Sequence, residues 1–171
     1  MSLATSTVKN TLTSDPDTYR TVPELLLSRG FSCDNHYVTT KDGTILHLFR
    51  IKSHFAQATL GNNSLHPVFL QHGFALSASS WLINSPGENV APWVNKHKPL
   101  VTGNNLATFL ANQGYDVWLG NNRGNQYSTN HTDMDAAHDD RFWKFSFDEH
   151  VEEDAPAMID YILNITGKGK W

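Results

Sequence analysis

The chain has 171 residues, 39% of them hydrophobic and 18% charged, which is enough to bury one core and too apolar to stay disordered. A formal net charge of −4, with Lys and Arg scattered rather than clustered, argues against a nucleic-acid binder. Cys33 is the single cysteine. It excludes an intramolecular disulfide and Cys-x-x-Cys chemistry, leaving a small buried hydrophobe or a reactive thiol.

Residues 1–14 are polar and rich in Ser and Thr and read as a mobile arm. Their first ten residues hold no apolar run of signal-peptide type. No stretch of about 18 apolar residues is present to span a membrane. Asn62, Asn130 and Asn164 open Asn-x-Ser/Thr triplets, which are glycan acceptors if the protein is secreted and chance matches otherwise. From residue 15 onward a single domain segment is expected.

Pro23 and Gly30 bracket a short helix. Two β-forming runs, 35–40 and 44–51, flank Asp42-Gly43, the turn chemistry of a hairpin. Residues 56–66 are a polar connection. Val68, Phe69 and Leu70 are consecutive apolar residues, as expected of a strand covered on both faces, and Gly73 beyond them permits a sharp turn.

Pro86, Gly87, Pro92, Pro99 and Gly103 break any period over 85–103, so a long loop is expected there. Asn104-Asn105 caps a helix that ends at Gly114, with Leu106, Phe109 and Leu110 sharing one face. Residues 115–120 form another strand, so strand, helix and strand make a βαβ unit. Ser146-Phe147-Asp148-Glu149 has capping-box form and opens a last helix, in which Pro156 imposes a kink or marks the true start. The fold class is α/β: a β-hairpin followed by parallel βαβα. It looks incomplete, because a strand as apolar as 68–70 belongs inside a sheet and only one later strand is present to pair with it.

Chemistry concentrates at the end of that apolar strand, in Leu70-Gln71-His72-Gly73-Phe74-Ala75. A turn after a parallel strand presents backbone N–H groups of the kind that stabilise the oxyanion of acyl transfer. Gly120-Asn121-Asn122-Arg123-Gly124 also follows a strand. It lacks both nucleotide-binding spacings and reads as a structured loop with Arg123 tied to acidic neighbours. Asp133, Asp135, His138, Asp139 and Asp140 match neither an EF-hand nor a zinc helix. No metal or cofactor is therefore expected.

Several longer motifs carry a resemblance. They are Asp15-Pro16-Asp17, Thr40-Lys41-Asp42-Gly43, Leu70-Gln71-His72-Gly73, the run 111–124 and the run 142–149. Together the chain resembles the acid lipase family, the gastric and lysosomal triacylglycerol lipases and their sterol-ester-hydrolase relatives, from about residue 15 to 171. The resemblance implies an α/β-hydrolase sheet and a Ser-His-Asp esterase mechanism acting on lipid esters at a lipid–water interface. It also implies that Phe74, where the family commonly has leucine, contributes one oxyanion N–H, with His72 and Gly73 as structural support of the turn.

The Gly-x-Ser-x-Gly elbow does not occur in these 171 residues, so the expectation is a segment that stops before the nucleophile and is inactive alone. The alternative is a truncated non-catalytic chain with a lipid- or partner-binding role. The 85–103 stretch departs from the family as a lineage-specific insertion exposing Trp93 or as a splicing artefact. The family implies secretion or the lysosome, while the N-terminus supports neither. Ester preference and oligomeric state stay open.

Overall fold

The computed structural model describes residues 16–53, 56, 65–83 and 105–168. The arm expected over 1–14, the insertion over 85–103, Asn62 and most of the 56–66 connection lie outside these residues.

Helix α1 (Val22–Ser28) has proline in its first turn, and the Thr21 N–H donates to Glu24 Oε2 at 2.8 Å. Strands β1 (Ser32–Thr39) and β2 (Thr44–Lys52) form the expected hairpin. Its turn requires Gly43, which sits at φ +97°, and a Cβ there would lie 2.5 Å from Thr132 Oγ1.

β3 (Pro67–Leu70) and β4 (Asp116–Gly120) run parallel, with Val68 opposite Val117 and Leu70 opposite Leu119. The sheet order is β1-β2-β4-β3, and β5 (Asn130–His131) pairs with β2 beside the hairpin turn. Because β2 is antiparallel to both β1 and β4, the hairpin and the βαβ unit form one mixed sheet. This is the α/β class expected, and β3 stands at the sheet's edge, as the shortage of a later strand to pair with it implied. The cover expected on both its faces is not seen: Pro67, Val68 and Phe69 are half-buried and Leu70 alone is buried. Among the described residues no strand covers its outer side.

Alternation along the strands supplies two cores. Phe49, Ile51, Val117 and Leu119 pack with Val22, Leu25 and Leu26 of α1 and with Ala107 and Ala111 of α2 (Leu106–Asn112). Leu46, Leu48 and Trp118 pack with Met158 and Ile162 on the opposite face. Cys33 sits half-buried against the first core, and burial pushes its thiol up, which fits the small-hydrophobe reading.

Helix α2 is capped as expected, the Asn105 side chain accepting from the Thr108 N–H at 2.9 Å, but it presents a different face. Ala107, Thr108, Ala111 and Asn112 are buried, whereas Leu106 and Phe109 are exposed. Small residues let the helix backbone approach the sheet closely, and only Leu110 of the expected apolar stripe packs against the core.

The C-terminal helix opens at Ser146, whose hydroxyl accepts from the Asp148 N–H at 3.0 Å while its own N–H donates to Glu149 Oε2. It runs as α3 (Phe147–Glu149), a π turn (His150–Asp154) and α4 (Ala155–Thr166). Pro156 thus falls in the first turn of α4. The wide turn before it accommodates a residue that has no N–H and whose ring clashes with a regular α-helical carbonyl. Asn130 and Asn164 are both exposed. Among the described residues no helix is long and apolar enough to cross a membrane.

Candidate active site

Since β3 and β4 are parallel, the segments leaving their C-terminal ends share one rim. Gln71, His72 and residues 74–77 face residues 122–126 there across a cleft of about 860 Å³, whose far wall includes Phe147, His150 and Val151.

The turn after β3 is Gly73-Phe74-Ala75-Leu76, closed by the Leu76 N–H donating to Gly73 O at 3.1 Å. The left-handed residue of this turn is Ala75, at φ +58°, and not the glycine. Gly73 lies outside the left-handed region, and a Cβ on it would meet only Leu76 Cδ1, at 3.5 Å. A left-handed alanine costs about 1–2 kcal/mol, so this turn carries backbone strain at the cleft.

His72 is buried, and both its ring nitrogens are engaged. Nδ1 lies 2.8 Å from Gly73 O, while Nε2 is 3.1 Å from the Asn122 backbone N and 3.1 Å from Asn125 Nδ2. Two donors directed at Nε2 make it the acceptor, so the ring proton is on Nδ1 and is donated to Gly73 O. Burial depresses the His72 pKa; the Gly73 hydrogen bond opposes that and the neighbouring His150 adds to it. A neutral ring with both nitrogens committed is part of the turn's scaffold and has no lone pair free to act as a base.

Phe74 lines the cleft and is 77% exposed. Among the described residues no cis peptide is present. In the trans Gly73–Phe74 peptide the N–H therefore points opposite to the carbonyl that His72 and Leu76 hold. Among the described residues that N–H has no hydrogen-bond partner.

Three asparagines support this turn, and sequence reasoning passed over their roles. Asn121 is fully buried; its Nδ2 donates to His47 O on β2, and its Oδ1 accepts from the Ala78 N–H and from Asn125 Nδ2, each at 3.0 Å. Asn122 Oδ1 accepts from Gln71 Nε2 at 2.8 Å. Asn125 Oδ1 accepts from the N–H groups of Tyr127 and Ser128. The available signal was three asparagines within five residues of a strand end.

Arg123 is tied to acidic residues as expected, specifically to Asp154 and to Asp42 in the hairpin turn. Partial burial pushes the Asp42 carboxyl up, but hydrogen bonds from Arg123 and Thr40 outweigh it and hold the group at about 2. Asp135 and Asp139 serve local turns, accepting from Ala137 and Arg141 N–H groups. Among the described residues no group of three or more His, Cys, Asp or Glu side chains is arranged to hold a metal.

A family model described as a partial alpha/beta-hydrolase lipase region matches residues 22–85. The chain is 37% identical over 155 residues to Lipase lipl-3 of Caenorhabditis elegans, a match covering 91% of this chain and 34% of that protein. The chain is similar to the α/β-hydrolase lipases along nearly its whole length. Its similarity extends to Lipase member M of Homo sapiens, at 36% over 156 residues covering 91% of this chain and 33% of that protein. It is equally similar to Lysosomal acid lipase/cholesteryl ester hydrolase of Homo sapiens, at 36% over 154 residues covering 90% and 34%. The resemblance to the acid lipases therefore holds along nearly the whole chain, which spans about a third of the length of these lipases.

Proposed function

We propose that this chain forms the sheet and one half of the oxyanion hole of a carboxylic ester hydrolase acting on triacylglycerols or sterol esters. Phe74 supplies one oxyanion N–H, and a Ser-His-Asp triad comes from residues outside these 171. The observation that carries this reading is the Phe74 N–H, which has no hydrogen-bond partner among the described residues, at a cleft on the C-terminal ends of β3 and β4. In such a reaction serine attacks the ester carbonyl, histidine takes and returns the proton, and aspartate orients the histidine. The negative oxygen of the tetrahedral intermediate then accepts from fixed N–H groups. Support for a lipid ester comes from the apolar cleft wall, where Phe74, Leu76, Ile83, Phe147 and Val151 are more than half exposed. A further support is the name of the human relative, a cholesteryl ester hydrolase.

The test is a chimera in which this chain replaces the matching third of the human lysosomal acid lipase. It is expected to hydrolyse a short-chain p-nitrophenyl ester, and Phe74→Pro is expected to lower kcat about 100- to 1,000-fold. Proline suits the second position of the turn, which Phe74 occupies, and removes the ring together with the N–H; Phe74→Ala, which removes the ring alone, is the control and should keep most of kcat. An unaltered kcat would remove Phe74 from the site. The 171-residue chain alone is expected to show no turnover above background. Turnover by it, blocked by a serine-directed phosphonate, would place the nucleophile within the chain. Vesicle binding without any activity in the chimera would instead favour a lipid-binding role.

A further inference from the structure

We infer that His72 is a positioning residue for the Phe74 N–H, that the Asn122 N–H and the Asn125 amide hold it in the one protonation state able to do this, and that protonating His72 releases the Gly73–Phe74 peptide. This deepens the reading of Phe74 as an oxyanion donor, on which its catalytic meaning rests.

A peptide unit is planar, so whatever fixes the carbonyl of Gly73 fixes the N–H of Phe74. Two donors hold that carbonyl: the Leu76 N–H across the turn at 3.1 Å and His72 Nδ1 at 2.8 Å. The Leu76 bond belongs to the turn itself, which contains the left-handed Ala75. A strained turn of this kind needs a hold from outside, and His72 provides one from the end of β3.

The hold works in one tautomer only. If the proton moved to Nε2, Nδ1 would become an acceptor facing the Gly73 oxygen, and an N–H at Nε2 would face the Asn122 N–H and the Asn125 amide. If both nitrogens were protonated, the Nε2 proton would still meet two donors and no acceptor. The amide of Asn125 cannot turn over to relieve this. Its oxygen accepts from the Tyr127 and Ser128 N–H groups, and its nitrogen also donates to the buried Asn121 Oδ1. A protonated ring therefore has to leave its seat, taking the Nδ1 donor from Gly73.

Of the groups around the ring, His150, from the π turn, disfavours a charge on it. Arg123, from the loop after β4, is committed to Asp154 and Asp42. Among the described residues no carboxylate bonds to the ring to favour its protonated form. Burial acts likewise, so the ring gives up its neutral form at a lower pH than an ordinary histidine does.

The test uses the ¹⁵N-labelled 171-residue chain. Long-range proton–nitrogen correlation reads which ring nitrogen carries the proton, and the Phe74 amide is followed from about pH 8 to about pH 3, with β4 amides as the control for global unfolding. Expected are the Nδ1–H tautomer at neutral pH and a Phe74 amide that moves or broadens at the His72 midpoint, below 6.5. Asn125→Ala, removing one of two donors, should raise that midpoint by about one unit. His72→Asn keeps an N–H at the position of Nδ1 without a titrating ring, so Phe74 should hold its neutral-pH resonance and lose the transition. A role in packing alone predicts no such rescue.

An Nε2–H tautomer, a Phe74 amide indifferent to the His72 midpoint, or a transition that survives His72→Asn would each overturn the inference. If Asn125→Ala does not fold, the wild-type titration and His72→Asn still decide. None of these readouts involves turnover. An inactive chimera with the hold intact would fail the catalytic reading alone.

Discussion

Asp154 is held by the main chain and the side chain of a single partner: the Arg123 backbone N lies 2.9 Å from its Oδ2 and Arg123 Nε lies 2.8 Å from its Oδ1. His150 Nδ1, four residues earlier in the helix, lies 3.0 Å from the same Oδ2. The other side of the guanidinium reaches Asp42 with Nη1 and Nη2. One buried arginine thereby joins the hairpin turn, the loop after β4 and the π turn, the last two of which line the proposed cleft.

The two carboxylates differ in burial, and that sets the size of their effects. Asp154 has no exposed side-chain surface, whereas the Asp42 side chain is 41% exposed. Asp154→Asn should destabilise the chain by about 3–5 kcal/mol, because it leaves a buried guanidinium short of a partner. Asp42→Asn should cost about 1 kcal/mol or less, because water screens that pair. Urea unfolding followed by tryptophan fluorescence orders the two variants, and equal losses would contradict the argument.

Asp42 also fixes a pH dependence. Its folded-state value, about 2, lies below the ordinary 3.8. The unfolded chain therefore binds the proton more readily, and the contribution of this group is present above about pH 4 and is lost as pH falls toward about 2. Asp42→Asn should flatten the urea midpoint over that window and leave it unchanged near neutrality, apart from the constant offset of the lost ion pair.

How much of this was legible in the sequence depends on how local each determinant is. The hairpin turn was readable because Asp42-Gly43 states its own conformation. The boundaries of α2 were readable from Asn105 and Gly114, but its buried face was not. Periodicity picks out Leu106 and Phe109 as an apolar stripe, while packing against a sheet rewards Ala107 and Ala111, which let the helix come close. The strand order was not readable either, because the pairing of β2 with β4 joins residues about 70 apart in the chain, and no local pattern encodes such a partner. The two residues of β5 exist as a strand only because the hairpin lies beside them, the Thr132 N–H donating to Gly43 O at 2.9 Å.

The site divides along the same line. The His72-Gly73-Phe74 turn and the tie of Arg123 to acidic residues follow from short motifs. The asparagine scaffold does not, because an amide's role depends on which donors and acceptors the fold brings to it. Even the placement of the positive φ on Ala75 rather than Gly73 is a tertiary outcome: Ala78, just beyond the turn, is anchored to Asn121, and the chain between must adapt.

Glycine substitutions separate backbone conformation from crowding. A Cβ added at Gly167, where φ is +63°, meets nothing within 4 Å, while at Gly124, where φ is +80°, it would lie 2.4 Å from Phe145 Cζ. Gly167→Ala should cost only the left-handed penalty, about 1–2 kcal/mol. Gly124→Ala should add about 1–3 kcal/mol for displacing Phe145. Phe145→Leu, by making room, should recover part of the second loss and none of the first. Thermal midpoints of the three single variants and of the Gly124→Ala, Phe145→Leu double mutant check this. Additive behaviour in the double mutant would count against a steric origin.

His47 makes the strongest pH prediction. It is buried in an aromatic box, stacked 4.5 Å from Tyr37 and tilted 4.2 Å from Phe49, with Nε2 2.9 Å from Asn35 Oδ1. Burial, with a smaller contribution from His36, pushes its pKa down from 6.5 to about 4. The folded state keeps the ring neutral while the unfolded chain protonates it, so between these two values the unfolded state binds more protons and stability rises with pH. Descending from about pH 6.5 to about pH 4, the chain should lose up to about 3 kcal/mol from this residue. His47→Gln removes the titrating ring and should flatten that slope, at the cost of aromatic packing that is the same at every pH. Denaturation midpoints measured across the window for both proteins decide the matter, and parallel curves for wild type and His47→Gln would show that His47 does not set the acid dependence.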